Sequence, residues 1–253
     1  IDPQGRGRGG FISIPDWGTS ITVTLDGLSI THGYAQGSGG GLFVRGGKVT
    51  IRGCHVYSNT GGSLASGIYL GGDDVTLTNN VIAHNTGPGY GVGIEMGVPA
   101  LAGNRITHNT NGLLLWSTVA TLTNTLIAAN AEEGLSVVGG QNQAWHTTIA
   151  DNGTVGVDVV SSGQGAGHLA ITNTIIAGSA TGVRVRGVAG FVTSTVRGTA
   201  TLWDNVTDTH TVNAGGRIIT TRDLHGDPAF VGSGDYHLTA ESPARNRGWH
   251  SPV

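Results

Sequence analysis

The residues best suited to chemistry sit in a few short stretches. Gly72-Asp73-Asp74 sets two carboxylates side by side at a glycine-rich turn, and Glu95 follows twenty-one residues after Asp74. Glycosidic hydrolysis needs two carboxyl groups, one as acid and one as base or nucleophile, so Asp73, Asp74 and Glu95 are the candidate catalytic acids. A lyase would need a cationic base, and Lys48 is the single lysine of the chain. Lys48 and Asp74 hold the same place in successive repeats, which reads as a surface ion pair of little energetic weight. His32, His84 and His108 share another repeat position, the geometry for a metal held between coils. Ser58 interrupts that column and no third ligand is evident, so histidines that bond turn backbone are the plainer reading, and no metal is expected. Phe43, Tyr69, Leu114 and Trp116 form an apolar-aromatic strip on an otherwise polar surface, a candidate binding strip. It could stack on sugar rings, meet another protein, or lie beneath Phe230, Tyr236 and Leu238 of the C-terminal segment.

These residues are placed by a repeat. Val49 to Asn59 reads VTIRGCHVYSN, and Val75 to Asn85 reads VTLTNNVIAHN. The template recurs from Val23, Val49, Val75, Pro99, Ala120, Asn142 and Leu169, at steps of 21 to 27 residues. Such a period marks a solenoid in which each unit buries its apolar face only against its neighbours. The third place is mostly Leu or Ile, the eighth is Ile or Val, and the eleventh is Asn in Asn59, Asn85, Asn109, Asn130 and Asn152. Stacked Asn amides can bond along a ladder, and Asn tolerates left-handed backbone at a bend. A second strand follows a glycine in each repeat, for example Gly41-Leu-Phe-Val44, Gly67-Ile-Tyr-Leu70, Gly93-Ile-Glu-Met96 and Gly112-Leu-Leu-Leu115. That alignment puts Phe43, Tyr69, Glu95, Leu114, Ser136, Asp158 and Arg184 in one outward column. The outward side of the first strand is rich in threonine (Thr24, Thr50, Thr76, Thr121), interrupted by Ala100, Gln143 and Ala170. β-branched ladders suit a solenoid face, although a flat Thr array is also what ice-binding solenoids present.

The spacing predicts an all-β chain: a single-stranded parallel β-helix (β-solenoid) of about 8–9 coils, a stack about 40 Å tall at strand spacing. The coils are expected over residues 1–200, with 201–253 an irregular segment capping or packed on the helix, because residues 203–221 are polar and without period. Gly is 45 of 253 residues, yet apolar residues are 38%, which excludes both collagen and disorder. Net charge is −3 and only 11% of residues are charged, which argues against nucleic acid or an anionic membrane as partner. No stretch is long and apolar enough to span a bilayer. The chain opens at Ile1 and reads as a piece of a longer precursor. Its lysine-poor, Thr/Asn-rich surface fits an extracellular or cell-surface location.

The repeats resemble those of right-handed parallel β-helix proteins, the pectin-lyase-like superfamily. The segment GDPAFVGSGDYHLTAESPARNRG resembles the terminal block of bacterial choice-of-anchor type surface proteins, with Asn246 where that block usually has an acid. The resemblance covers nearly the whole chain and implies right-handed coiling. It leaves activity open, because lyases, hydrolases, adhesins and passenger domains share the fold. Gly72-Asp73-Asp74 is similar to the paired acids of polygalacturonase-like hydrolases, but that family's Asn-Thr-Asp, Gly-His-Gly and Arg-Ile-Lys companions are missing. Lyases of the fold hold calcium in a cluster of acids, so calcium is expected only if the chain is a lyase. Two functions follow. The first is a non-enzymatic extracellular protein, adhesive or self-associating through its end coils into a fibre. The alternative is a carbohydrate-active enzyme, a polysaccharide lyase or glycoside hydrolase, acting on an extracellular polysaccharide.

Overall fold

The computed structural model describes residues 1–13, 21–72, 74–163, 165–187 and 193–249. Asp73, Phe191 and the expected turn Pro15-Asp-Trp-Gly18 lie outside them. Among the described residues every regular element is a strand, and all pairings between coils are parallel. Each coil has three sides. The first face carries strands such as Lys48–Arg52, Asp74–Thr78 and Gly167–Thr172. The second carries three-residue strands such as His55–Tyr57, Val81–Ala83 and Arg105–Thr107. The third carries Leu42–Arg45, Ala65–Gly71, Tyr90–Glu95 and Asn111–Thr118. The second face is a separate nine-stranded sheet, whereas Glu133–Trp145 runs on from the third face into the first and joins those two into one sheet. Among the described residues no helix is long and apolar enough to cross a membrane.

The template reads directly onto this stack. Third-place Ile51, Leu77, Leu101 and Leu122 and eighth-place Val56, Ile82, Ile106 and Ile127 are buried and stack in register, coil on coil. They form one continuous core with the inward residues of the third face. The Asn column is a bonded ladder: Asn59, Asn85, Asn109 and Asn130 each donate from Nδ2 to Oδ1 of the next Asn at 2.9–3.1 Å. Each amide also donates to a carbonyl of the coil before it, as Asn109 does to Ile82. The left-handed backbone falls one place earlier than expected. His32, Ser58, His84, His108, Ala129 and Asp151 have φ near +55°, while the Asn residues do not. The glycine at the start of each third-face strand also has a reason. A Cβ at Gly134 would lie 2.5 Å from the Gly156 carbonyl oxygen and 2.7 Å from Asn152 Nδ2. The Asn ladder leaves no room there for a side chain.

A second ladder at the sixth template place escaped the sequence reading. Asn80 donates to Asn104 Oδ1 at 3.0 Å and to the Ile51 carbonyl, and Cys54 N donates to Asn80 Oδ1. Buried Thr125, Thr147 and Thr174 continue the column, each hydroxyl bonding the carbonyl two residues back. These side chains satisfy backbone groups at the corner between the first and second faces, which otherwise would be buried without partners.

The coils also continue beyond the expected boundary at residue 200. Leu202–Asp204, Thr207–Thr211, Gly216–Thr221 and Leu224–His225 all pair in parallel with the preceding coil. Two inward places here are Thr209 and Thr211, in line with Val183 and Val185 of the coil before, which hid the period. Inward Val196 and Trp203 keep the core, and Asn205 takes the Ser179 N–H at the corner. The segment after His225 turns back along the outside of the second face. Its antiparallel pair Phe230–Gly232 and Asp235–Leu238 brings the Tyr236 hydroxyl to Asp151 at 3.0 Å. Further on, Trp249 and Asn173 exchange two hydrogen bonds, and Arg222 lies over the Trp249 ring.

Candidate functional site

The expected outward column is corrected in one coil, where Gly91 and not Gly93 is the glycine against the Asn ladder: a Cβ there would meet Asn109, as one at Gly67 would meet Asn85. The register of Tyr90–Glu95 against Ala65–Gly71 shifts between Tyr90 and Val92. Gly93 therefore lies beside Tyr69 and Leu114, and Glu95 lies beside Gly71 and Trp116. Glu95 belongs to the Trp116 column, not the Tyr69 column. Tyr69 leans over Gly71, whose missing side chain leaves space, and donates its hydroxyl to Glu95. Burial, followed by the bond to Glu95 and its charge, raises the Tyr69 pKa and keeps the phenol protonated. Replacing Tyr69 by Phe should cost about 1–2 kcal/mol in urea unfolding, the scale of one bond to a charged group.

The apolar strip is not a continuous exposed surface. Phe11, Phe43 and Tyr69 stack face to face at 5.0 and 4.8 Å between centroids, with Arg8 over the two Phe rings. Phe11 is 59% exposed, but Tyr69 and Leu114 are buried and Trp116 is half-buried. The C-terminal segment packs on the second face, so the rings of Phe230 and Tyr236, which meet edge to face, do not cover the strip.

Each described acid proposed for catalysis has a partner. Asp74 pairs with Lys48 at 3.0 Å, both more than half exposed. Lys48→Gln should change stability by less than about 0.5 kcal/mol, measured by thermal melt, because water competes for both charges. Asp73 lies outside the described residues. His84 and His108 stack at 5.0 Å; burial, His84 and Arg105 push the His108 pKa down. Among the described residues, no three ligating side chains converge as a metal site would require.

A larger polar network lies further along the third face. Asp158 is fully buried and takes both Arg184 and Arg186: Arg184 Nε and Nη2 reach its two oxygens at 3.0 Å. Arg184 Nη2 also donates to Glu133 at 2.9 Å, and the Tyr90 hydroxyl donates to the other Glu133 oxygen at 2.8 Å. Burial and the Glu133 charge raise the Tyr90 pKa, so this phenol stays protonated as well. The Asp158–Arg184 pair was visible as neighbours in one column. The reach of Tyr90 across 43 residues to Glu133 had no signal in the repeat.

The first face holds a groove of about 400 Å³ lined by Val119, Gln141, Gln143, His168, Thr195 and Arg197, with Ala170 at its floor. It lies where the threonine array breaks. Gln143, Ala170 and Arg197 are successive members of one column, so the small Ala170 leaves a depression between longer polar neighbours. Trp145, two residues beyond Gln143, donates its indole N–H to the Gln143 carbonyl oxygen at 3.1 Å and fixes that amide. A cleft with a few convergent amide, imidazole and guanidinium groups is chemically suited to hydroxyl- and carboxylate-bearing ligands. The interruptions at Gln143 and Ala170 were the available signal, and the sequence reading treated them only as defects in the array.

Residues 18–125 match the family model of the right handed beta helix region. Among solved structures, the crystal structure of pectate lyase Pel9A is similar over 91% of this chain and 83% of its own, at 13% identity and a TM-score of 0.49. No curated protein matches the chain. The stacked parallel coils make the chain a parallel β-helix, and residues 18–125 of it match the right-handed kind.

Proposed function

We propose that this chain is a non-enzymatic β-helix protein of the extracellular space or a cell surface, structural or adhesive, which holds an extracellular polysaccharide in the Gln141–Arg197 groove without cutting it. The observation that carries this reading is the engagement of the acids. Asp74 is paired with Lys48, Glu95 with Tyr69, Glu133 with Tyr90 and Arg184, and Asp158 with two arginines. Each of these carboxylates already holds a hydrogen-bond or ion-pair partner, which competes with a substrate or a calcium ion for its oxygens.

The end coils supply the self-association part of the proposal. Thr22–Asp26 and Gly216–Thr221 each pair with one neighbouring strand among the described residues, and an open strand edge recruits another strand. Uniform fibres in negative-stain microscopy over a concentration series are expected; dispersed rods at every concentration would remove this part.

The enzymatic alternative is tested by incubating the protein with acidic and neutral polysaccharides, with and without calcium. The expected result is no unsaturated sugar ends in the ultraviolet and no new reducing ends. Product that appears with the native chain and is lost in Glu95→Gln would replace the proposal with a carbohydrate-active enzyme.

A further inference from the structure

A second groove, of about 590 Å³, lies on a different side of the helix, between the second face and the tip of the C-terminal hairpin. Arg105, His146, Tyr236 and His237 line it, together with Asn124 and Thr148. Three cations on the coils meet an acid directly in a neighbouring coil. Lys48 faces Asp74 across the ladder, Arg52 faces Asp26, and Arg184 faces Asp158. Arg105 stands instead between Val81 and Leu126, and no acid flanks it in its column. The two carboxylates nearest the hairpin tip are already bound. Asp235 takes the ring and backbone N–H of His237, and Asp151 takes the Tyr236 hydroxyl. Among the described residues Arg105 makes no ion pair within 4 Å, and although Asp235 lies within its field, the exposed guanidinium keeps its N–H fork free for an anion's oxygens beside two imidazoles.

We propose that this groove binds an oxyanion group, sulfate or phosphate, either as the ester on a sugar or as the free ion. Arg105 offers a fork of N–H donors to two oxygens. His146 offers a ring N–H from the corner, and His237, whose Nδ1 is engaged with Asp235, offers its other ring nitrogen as a donor in the imidazolium form. The Tyr236 ring, which forms part of the wall, gives a sugar ring an apolar surface to lie against. This site is independent of the first-face groove, so either can fail without the other.

The test uses the whole chain and follows the ring-proton resonances of His146 and His237 during titration with glucose 6-sulfate, inorganic sulfate and glucose. The sulfate ester is expected to shift both rings and glucose to shift neither. Arg105→Gln should weaken the ester at least about tenfold, the scale of one charge-assisted hydrogen bond. His146→Asn should also weaken it. That variant keeps the left-handed corner, since Asn124 and Asn173 hold the same place in the adjacent coils with φ of 48° and 51°. Tighter binding of the ester than of sulfate assigns the sugar-borne group, and equal binding assigns the free ion. No shift with either anion, equal shifts with glucose, or unchanged binding by Arg105→Gln would overturn the site.

Discussion

Asn109→Ala should lower the stability of the chain by about 3–5 kcal/mol in urea unfolding. Asn109 sits in the middle of the Asn ladder and is 2% exposed. Its Oδ1 accepts from both the backbone N–H and the side-chain amide of Asn85, at 3.0 and 2.9 Å. Its Nδ2 donates to the Ile82 carbonyl at 3.1 Å and to Asn130. Alanine removes all of these bonds at once, and each buried group left without a partner costs about 1–3 kcal/mol before relaxation. The loss is greater than for one bond because the ladder ties three coils together at that point. The same substitution at Asn205, which is half-buried at the far end, should cost no more than about 1–2 kcal/mol, because water can replace the lost partner. Equal losses at the two positions would contradict the ladder as a cooperative element.

Arg184→Met should cost about 2–4 kcal/mol, because it removes one of two cations from the fully buried Asp158 carboxylate. Arg186 stays on Asp158, which keeps the loss below that of an isolated buried charge. Glu133 retains the Tyr90 hydroxyl. Replacing Asp158 by Val in the same chain should recover most of the stability, since the penalty comes from the uncompensated charge and not from lost packing. A double-mutant cycle on thermal or urea unfolding measures this coupling. A double variant as unstable as the sum of its single variants would show that the pair does not act through charge.

Residues that repeat coil after coil were readable from the sequence. Ile51, Leu77, Leu101 and Leu122 recur at one place, and Asn59 to Asn152 at another, so period alone assigns both core and ladder. Places where one coil departs from its neighbours were not readable. Tyr90-Gly-Val-Gly93 holds two glycines, and aligning Gly93 rather than Gly91 with Gly67 misplaced Glu95 by two residues. The coils after residue 200 were hidden because Thr207–Thr211 is polar on its inward side as well, with Thr209 and Thr211 where the coil before has Val183 and Val185, while Trp203 alone fills the core at the eighth place. Contacts made by single side chains across the stack carry no period at all. Tyr90 reaching Glu133 and the hairpin reaching Asp151 are of this kind, and both grooves depend on such departures.

The central claim is that the first-face groove holds a polysaccharide intact. The most direct measurement is retention of the protein on immobilised extracellular polysaccharides, native against Gln143→Ala/Arg197→Ala, with the length of the polysaccharide determined afterwards. Both positions face outward on the first face, so the variant should melt within about 1 kcal/mol of the native chain. The account predicts that the native chain is retained on at least one polysaccharide, that the double variant is not, and that the polysaccharide keeps its length. Equal retention of the two proteins, or shortening of the polysaccharide by the native chain, would contradict it.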